Sequence, residues 1–323
     1  MWRLQSSVEA ALRGVAPKHA TVVRAGGLGD TVLVLPALEM VRRSSPDVTV
    51  ALVGSAWAEH LRPLVSPPVR VVRFDGPEMT PLFAPGADGD PTGAFARADL
   101  AVLYTADPRD ALVGNARRLC PGRTVSWPVD PPAGRHAAAH FAGAVADTVP
   151  EPRDLPPAGL RVSPDLSAWA GEWLAERLPE AAGPVAVHPG SGGRRKCWAP
   201  EHFAHLMGAL GRPVVLLEGP ADAAPCARTA ALAGPGAAPA RAAGLSVAQT
   251  AALLSRCRLY VGNDSGVSHL GAGLGVPTVA VFGPTDPRTW RPLGRRVVSC
   301  GGNGAWPDPA LVLDACRRLL QPA

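Results

Sequence analysis

Val261-Gly-Asn-Asp-Ser-Gly-Val-Ser-His-Leu270, followed by a segment of small residues and then by Val279-Ala-Val-Phe-Gly-Pro-Thr-Asp286, decides how this chain is read. An apolar run, Leu259-Tyr260-Val261, stops abruptly at Gly262-Asn263-Asp264-Ser265-Gly266. A helix-like stretch over 265–274 then leads to a second apolar run, Thr278–Phe282. This is strand, turn, helix, strand, with polar groups gathered where the first strand becomes a helix. In an open parallel sheet such a turn lies at the carboxyl edge, where ligands bind. The helix start offers unsatisfied backbone N–H groups and about half a positive charge, so the turn suits an anion. Asp264 is placed to cap the helix and the amides of Ser265 and Gly266 to face the anion. His269 follows about one turn later, near enough to donate to it.

The same alternation extends in both directions. Downstream of a Pro-rich segment, strands are expected at 184–188, 213–217, 258–261 and 277–282, with helices over 200–210, 222–233, 246–256 and 308–320. Upstream, strands are expected at 21–24, 48–53, 69–74, 99–104 and 124–127, with helices over 31–43, 108–119 and 134–148. Residues 1–19 read as a short helix and connector, and 75–98 as an irregular Pro/Gly-rich excursion. Val149–Gly159 carries four prolines, the mark of a stiff exposed linker. Pro164–Arg177 follows as an amphipathic helix with Leu166, Trp169, Trp173, Leu174 and Leu178 on one face. Two successive βα series joined by such a linker indicate two Rossmann-like domains facing a cleft.

Bulk properties narrow the function classes. A chain of 323 residues exceeds the size at which one core stops growing, and 47% hydrophobic with 18% charged residues is a globular composition. The net charge of +5 favours anionic ligands, but no dense Lys/Arg block with interleaved aromatics is present, which argues against nucleic acid. The six cysteines (120, 197, 226, 257, 300, 316) lack metal-site spacing and read as reduced thiols. The N-terminus lacks the apolar core of a signal peptide, and Gly or Pro interrupts every apolar stretch before it could span a bilayer. The expectation is a cytoplasmic protein with at most peripheral membrane contact and no metal.

Three further stretches carry chemistry. Gly26-Gly27-Leu28-Gly29-Asp30 sits at a strand-to-helix turn, but its spacing is not the dinucleotide fingerprint, and Leu52-Val-Gly-Ser55 offers no acidic residue for a ribose. A nicotinamide-dependent oxidoreductase is therefore disfavoured. Asp30 reads either as the N-cap of a helix opening at Thr31 or as a general base at the mouth of a cleft. His188-Pro-Gly-Ser-Gly-Gly-Arg-Arg-Lys-Cys-Trp198 ends a strand in a flexible loop with three cations, in which Lys196 supplies a point charge and Arg194 or Arg195 a fork for a phosphate. Glu218-Gly-Pro-Ala-Asp222 closes the next strand, and either carboxylate could accept ribose hydroxyls while the other caps a helix. A cationic loop, an acidic ribose candidate and a helix start at strand carboxyl ends together suit a nucleoside diphosphate. They could neutralise it without a divalent ion.

These motifs, Arg24-Ala-Gly-Gly-Leu-Gly-Asp-Thr-Val-Leu-Val-Leu-Pro-Ala-Leu38, His188-Pro-Gly-Ser…Lys196-Cys-Trp198, Gly219-Pro-Ala-Asp222 and Gly262-Asn-Asp-Ser-Gly-Val-Ser-His-Leu270…Phe282-Gly-Pro-Thr-Asp286, resemble glycosyltransferase family 9, the ADP-heptose:lipopolysaccharide heptosyltransferases and their relatives. The resemblance runs from about residue 20 to the C-terminus. It implies an α/β GT-B fold of two Rossmann-like doubly wound domains. Residues 1–155 would bind the acceptor and 156–307 the nucleotide-sugar donor, with the final helix, 308–323, packing back on the first domain. By motif, Asp30 would be the catalytic base and Gly26, Gly27 and Gly29 its acceptor-side loop. Ser191, Gly192 and Lys196 would hold the diphosphate with Ser265 and Gly266, Asp264 would orient donor groups and Asp222 would meet the ribose. The resemblance implies inverting, metal-independent transfer of a heptose from an ADP-sugar, with no cofactor and a monomer sufficing. The chain departs from the family's pattern at Gly26-Gly27, where Ser or Thr is usual, and at Asp222, where Glu is common. The excursion at 75–98, the expected acceptor wall, is poor in lysine, so a glycan, a lipopolysaccharide-core-like glycolipid or a natural product all remain candidate acceptors. Two other readings stay open. A catalytically silent nucleotide-sugar binding protein would not need Asp30 and Lys196 intact, and a sugar-nucleotide epimerase would not need an acceptor-facing carboxylate.

Overall fold

The computed structural model describes residues 16–146, 148–179, 183–234 and 238–321. Most of the helix and connector expected over 1–19 lies outside these residues, as does Asp147 in the expected helix 134–148. The chain divides into two compact units, 1–159 and 160–323, a boundary a few residues beyond the 155/156 division expected from the prolines.

The first unit is a five-stranded parallel sheet. Its elements in chain order are β1 (His19–Arg24), α1 (Leu28–Ser44), β2 (Thr49–Gly54), α2 (Ala56–Leu61), β3 (Arg70–Arg73), β4 (Leu100–Thr105), α3 (Ala111–Leu119), β5 (Arg123–Pro128) and α4 (Ala137–Ala142). The spatial order is β3-β2-β1-β4-β5, and the register aligns Arg24 with Gly54 at the carboxyl ends of β1 and β2. The crossover from β3 to β4 has no α-helix. Segment 75–98 performs that task instead: Met79, Leu82 and Phe95 are fully buried in a core with Val53, Val72 and Leu103. The excursion is therefore a packed cover on one sheet face, because its apolar residues replace the helix that a parallel crossover otherwise supplies.

The second unit contains α5 (Pro164–Arg177), β6 (Val185–His188), α6 (Pro200–Leu210), β7 (Val214–Glu218), α7 (Ala223–Leu232), β8 (Ala240–Ala243), α8 (Val247–Ser255), β9 (Leu259–Asn263), α9 (Gly266–Gly273), β10 (Thr278–Phe282), α10 (Pro287–Trp290), β11 (Val297–Gly301) and α11 (Pro309–Leu320). Its six parallel strands are ordered β11-β10-β9-β6-β7-β8. The inner strands β6, β9 and β10 are buried at every residue, as expected where helices cover both faces. The face of α5 that carries Trp169 and Trp173 is only half buried, and Ala170 is the one fully buried residue of that helix. The terminal helix α11, expected on the first domain, instead packs into the second unit. Val312, Ala315 and Cys316 are buried there with Phe203, Leu206 and Val261, because its apolar stripe matches the open face of β9 and β10.

In each sheet the chain begins on a central strand, winds outward to one side, and returns to the other side of its starting strand. The switch points lie between β1 and β4 and between β6 and β9. Ligands of doubly wound sheets bind outside the carboxyl ends of the strands at such points. The two sequence stretches richest in chemistry therefore fall where the topology places ligands.

Candidate functional site

At the second switch point, the stretches after β6 and β9 are braced against each other by buried polar groups. Asn263, the last residue of β9, donates from Nδ2 to the carbonyls of Pro189 and Gly190 at 2.8 and 3.1 Å, and its Oδ1 accepts from the Trp198 N–H at 2.9 Å. One side-chain amide thus grips both ends of the loop 189–198. Ser191 adds a bond from its hydroxyl to the Asp264 carbonyl at 2.8 Å. His188 donates from Nε2 to Asp222 Oδ2 at 2.9 Å, which leaves Nδ1 to accept from the Ser265 hydroxyl at 3.4 Å. The Gly219 N–H reaches the same Asp222 oxygen at 3.0 Å. Burial pushes the Asp222 carboxyl up, but the bonds from His188 and from the Gly219 and Ser191 amides outweigh it and hold the group below the usual carboxylate range. Gly190 is obligatory here, since a Cβ would collide with that carboxylate.

Asp264 is buried and fixed to β10 by its N–H, which donates to the Val281 carbonyl at 2.8 Å. Its Oδ2 accepts from Lys196 Nζ at 2.8 Å and from the Thr285 hydroxyl at 2.7 Å. The Lys196 side chain is 39% exposed, so an ammonium with three N–H groups keeps donors for a ligand after satisfying Asp264. From Leu259 to Ala272 every residue is buried except Gly266 and Val267, which open α9. Its N-cap is Ser265 rather than Asp264, whose carboxylate is turned to Lys196 and Thr285, and no side chain caps the helix. The accessible backbone of the run is therefore its first turn, the part that carries unsatisfied amides and the positive end of the helix dipole. Gly192 is exposed, with open space around the position a Cβ would take. Lys196, the exposed loop at Gly192 and the α9 start form a seat for an oxyanion.

The anticipated residues are thus gathered, with roles that differ in detail. The Ser191 hydroxyl is engaged with the Asp264 carbonyl and its amide with Asp222, so this residue braces the loop rather than offering its own donors to a ligand. Asp222 is buried against His188, and Glu218, the other ribose candidate, pairs with Arg241. Arg194 and Arg195 are exposed on a turn in which only Lys196 reaches Asp264. His269 is buried within α9. The bracing roles of His188, Asn263 and Thr285 were not foreseen. The available signal was a polar residue, Asn263, ending a strand that is otherwise wholly apolar. The described residues contain no group of three His, Cys, Asp or Glu side chains able to hold a metal ion. All six cysteines are free, and burial pushes the thiols of Cys226, Cys257 and Cys316 up to about 12.

At the first switch point, α1 opens at Leu28 rather than Thr31. Asp30 is therefore not the N-cap but the third residue of the helix, Gly29 lies inside the first turn, and the loop shortens to Ala25–Gly27. Asp30 Oδ2 accepts from the Gly27 N–H at 2.9 Å and Oδ1 from the Arg24 guanidinium at 2.6 Å. Arg24 is buried, also donates to the Ala25 carbonyl, and lies 5.0 Å over the Phe141 ring. Its role was not foreseen either. The Asp30 carboxylate is 28% exposed, oriented by two donors yet open to solvent. A Cβ at Gly26 would come within 2.7 Å of Asp30 Cβ, so glycine is the residue that fits beside this carboxylate. The Ser55 hydroxyl donates to the Gly26 carbonyl at 2.6 Å and ties this loop to the start of α2.

The family described as glycosyltransferase family 9 (heptosyltransferase) matches residues 92–314, well over half of the chain. The chain is similar to lipopolysaccharide heptosyltransferase 3 of Escherichia coli, with 31% identity over 120 residues, and the match spans 35% of each sequence. Among solved structures it is similar to E. coli ADP-heptose LPS heptosyltransferase II, at 20% identity and a TM-score of 0.74, covering 94% of this chain and 98% of that one. It is also similar to E. coli heptosyltransferase WaaC solved with ADP, at 20% identity and a TM-score of 0.66, covering 93% and 99%. These likenesses give the fold as GT-B. Among the described residues no helix is long and apolar enough to cross a membrane.

Proposed function

The chain belongs to glycosyltransferase family 9, and on that premise we propose that it moves a heptose or related sugar from an ADP-linked donor to an acceptor hydroxyl, with inversion and without a metal ion. The observation that carries this reading is the Lys196–Asp264 pair beside the accessible first turn of α9 at the β6/β9 switch point. A diphosphate seated there meets an ammonium, backbone amides and a helix dipole, which stabilise the charge that grows on the leaving group. The bracing by Asn263, Ser191 and His188 holds these donors in place before the ligand arrives, so little reorganisation is needed during the reaction.

Asp30 is the base. Its carboxylate takes the proton from the acceptor hydroxyl as that oxygen bonds to the anomeric carbon, and the bond to the diphosphate breaks with its electron pair leaving on ADP. A single displacement by a single base gives inversion and needs no covalent sugar–enzyme intermediate. Arg24 and the Gly27 amide aim the carboxylate, and its partial exposure lets it reach a substrate. The E. coli relative of this fold solved with ADP supports the choice of nucleotide. The direct test is a thermal-shift panel of ADP, UDP, GDP, TDP and NAD, since a ligand that binds only the native state raises its apparent stability. ADP is expected to stabilise most. Stabilisation by NAD or UDP with none by ADP would refute the donor assignment.

A further inference from the structure

The carboxyl edge that carries Asp30 has a composition that speaks to the acceptor. Beside Asp30, which stands in the first turn of α1 just after β1, comes α2, whose N-cap Ser55 is bonded to Gly26 and which presents Trp57 in its first turn, 38% exposed. Beyond β2, Phe74 follows the end of β3, its N–H bonded to the Gly54 carbonyl, and its ring meets Phe83 edge-on at 5.2 Å. Phe83 is 44% exposed. In sheet order the edge therefore runs from the carboxylate to one exposed aromatic and then to another. Toward β2 and β3 its charges give a polyanion no seat. Arg24 is committed to Asp30, and Arg73 is held by Asp75 at 2.8 Å and faces Glu59 at 3.7 Å. With Glu78 on the adjoining turn, two arginines stand against four carboxylates along this stretch, a field that repels phosphate groups.

We propose that the acceptor is an uncharged molecule with a ring or apolar face that stacks on Trp57 and Phe83, rather than a phosphorylated glycan. This rests on the reading of Asp30 as the base. Exposed aromatic rings are costly in water and bind flat apolar faces well, and an aromatic row beside a reactive carboxylate places a hydroxyl on such a ligand near that carboxylate.

The test measures binding of 4-nitrophenyl β-D-glucopyranoside and of glucose 6-phosphate to the full chain by saturation-transfer NMR, with ADP binding followed in the same samples. The aryl glycoside should bind at least tenfold more tightly than the phosphosugar. Trp57→Ala should weaken it about tenfold and Phe83→Ala by less, while Trp57→Phe retains it. Both alanine changes fall on exposed side chains, and unchanged ADP binding reports that each variant is folded. The inference is overturned if the phosphosugar binds as well or better, if the aryl glycoside does not bind, or if neither alanine variant weakens it. Loss of ADP binding by the unaltered protein would instead count against the donor site.

Discussion

The carboxyl edges of the two sheets are built in opposite ways from the same topology. In the second unit the switch point is buried and cross-linked. His188, Ser191, Asp222, Asn263 and Asp264 are all buried, while Gly192, the cations from Arg194 to Lys196 and the first turn of α9 reach solvent. In the first unit a single buried arginine braces a single open carboxylate, and the neighbouring surface carries aromatic rings. The difference is the one the two proposed tasks call for. A diphosphate is always the same ion and rewards donors fixed in advance, because preorganised dipoles need no rearrangement as charge develops. A base must contact a variable acceptor, so it needs aim and access rather than enclosure.

Asp30→Asn keeps the shape and removes the carboxylate proposed as the base. ADP release from ADP-heptose, assayed with an acceptor panel, should fall about 10²- to 10⁴-fold, the usual contribution of general-base catalysis, while the ADP-induced thermal shift stays unchanged. Retained turnover would remove Asp30 from the chemistry.

Asn263→Ala attacks the bracing. Loss of three buried hydrogen bonds should destabilise the protein by about 2–3 kcal/mol and lower its melting temperature by roughly 5–10 °C, with ADP binding weakened through a loosened 189–198 loop. A melting temperature within 1–2 °C of the unaltered protein would show that the loop holds itself.

Lys196→Arg sharpens the role of the point charge. A planar guanidinium does not reproduce a compact ammonium held between Asp264 and a ligand, so ADP affinity should fall several-fold although the charge is kept. Equal affinity would mean that charge alone suffices.

The smallest effect concerns pH. The Asp222 carboxyl titrates below its unfolded value of about 4, so its contribution to stability is full above that value and is lost as the pH falls through the lower folded value. Asp222→Asn should therefore flatten the acid limb of a stability–pH curve below pH 4 and leave the limb above pH 5 parallel. An unchanged acid limb would contradict the pairing with His188.

Much of this was legible in the sequence because parallel strands flanked by helices are nearly continuous apolar runs, and β9 and β10 were found to within two residues. The loops after β6 and β9 were legible because glycines, serines and cations at strand ends have few structural uses. Side-chain partnerships were less legible. Nothing in the spacing of Arg24 and Asp30 shows that helix α1 begins early enough to turn the carboxylate back on its own loop. Asp222 and His188 are 34 residues apart and meet only through the sheet order. The placement of α11 was missed because an amphipathic helix at a chain end carries no record of which apolar face it covers. One available signal went unused. Lys18 and Lys196 are the chain's two lysines among 32 basic residues, so a lysine directly after Arg194-Arg195 marks a site where arginine does not serve.

The most direct test of the division of labour is the ADP affinity, by titration calorimetry, of the unaltered protein, Lys196→Met and Asp30→Asn side by side. ADP should bind the unaltered protein, Lys196→Met should weaken that binding at least tenfold, and Asp30→Asn should leave it unchanged within about twofold, a tenfold change being about 1.4 kcal/mol. Equal binding by Lys196→Met, or loss of binding in Asp30→Asn, would contradict that division.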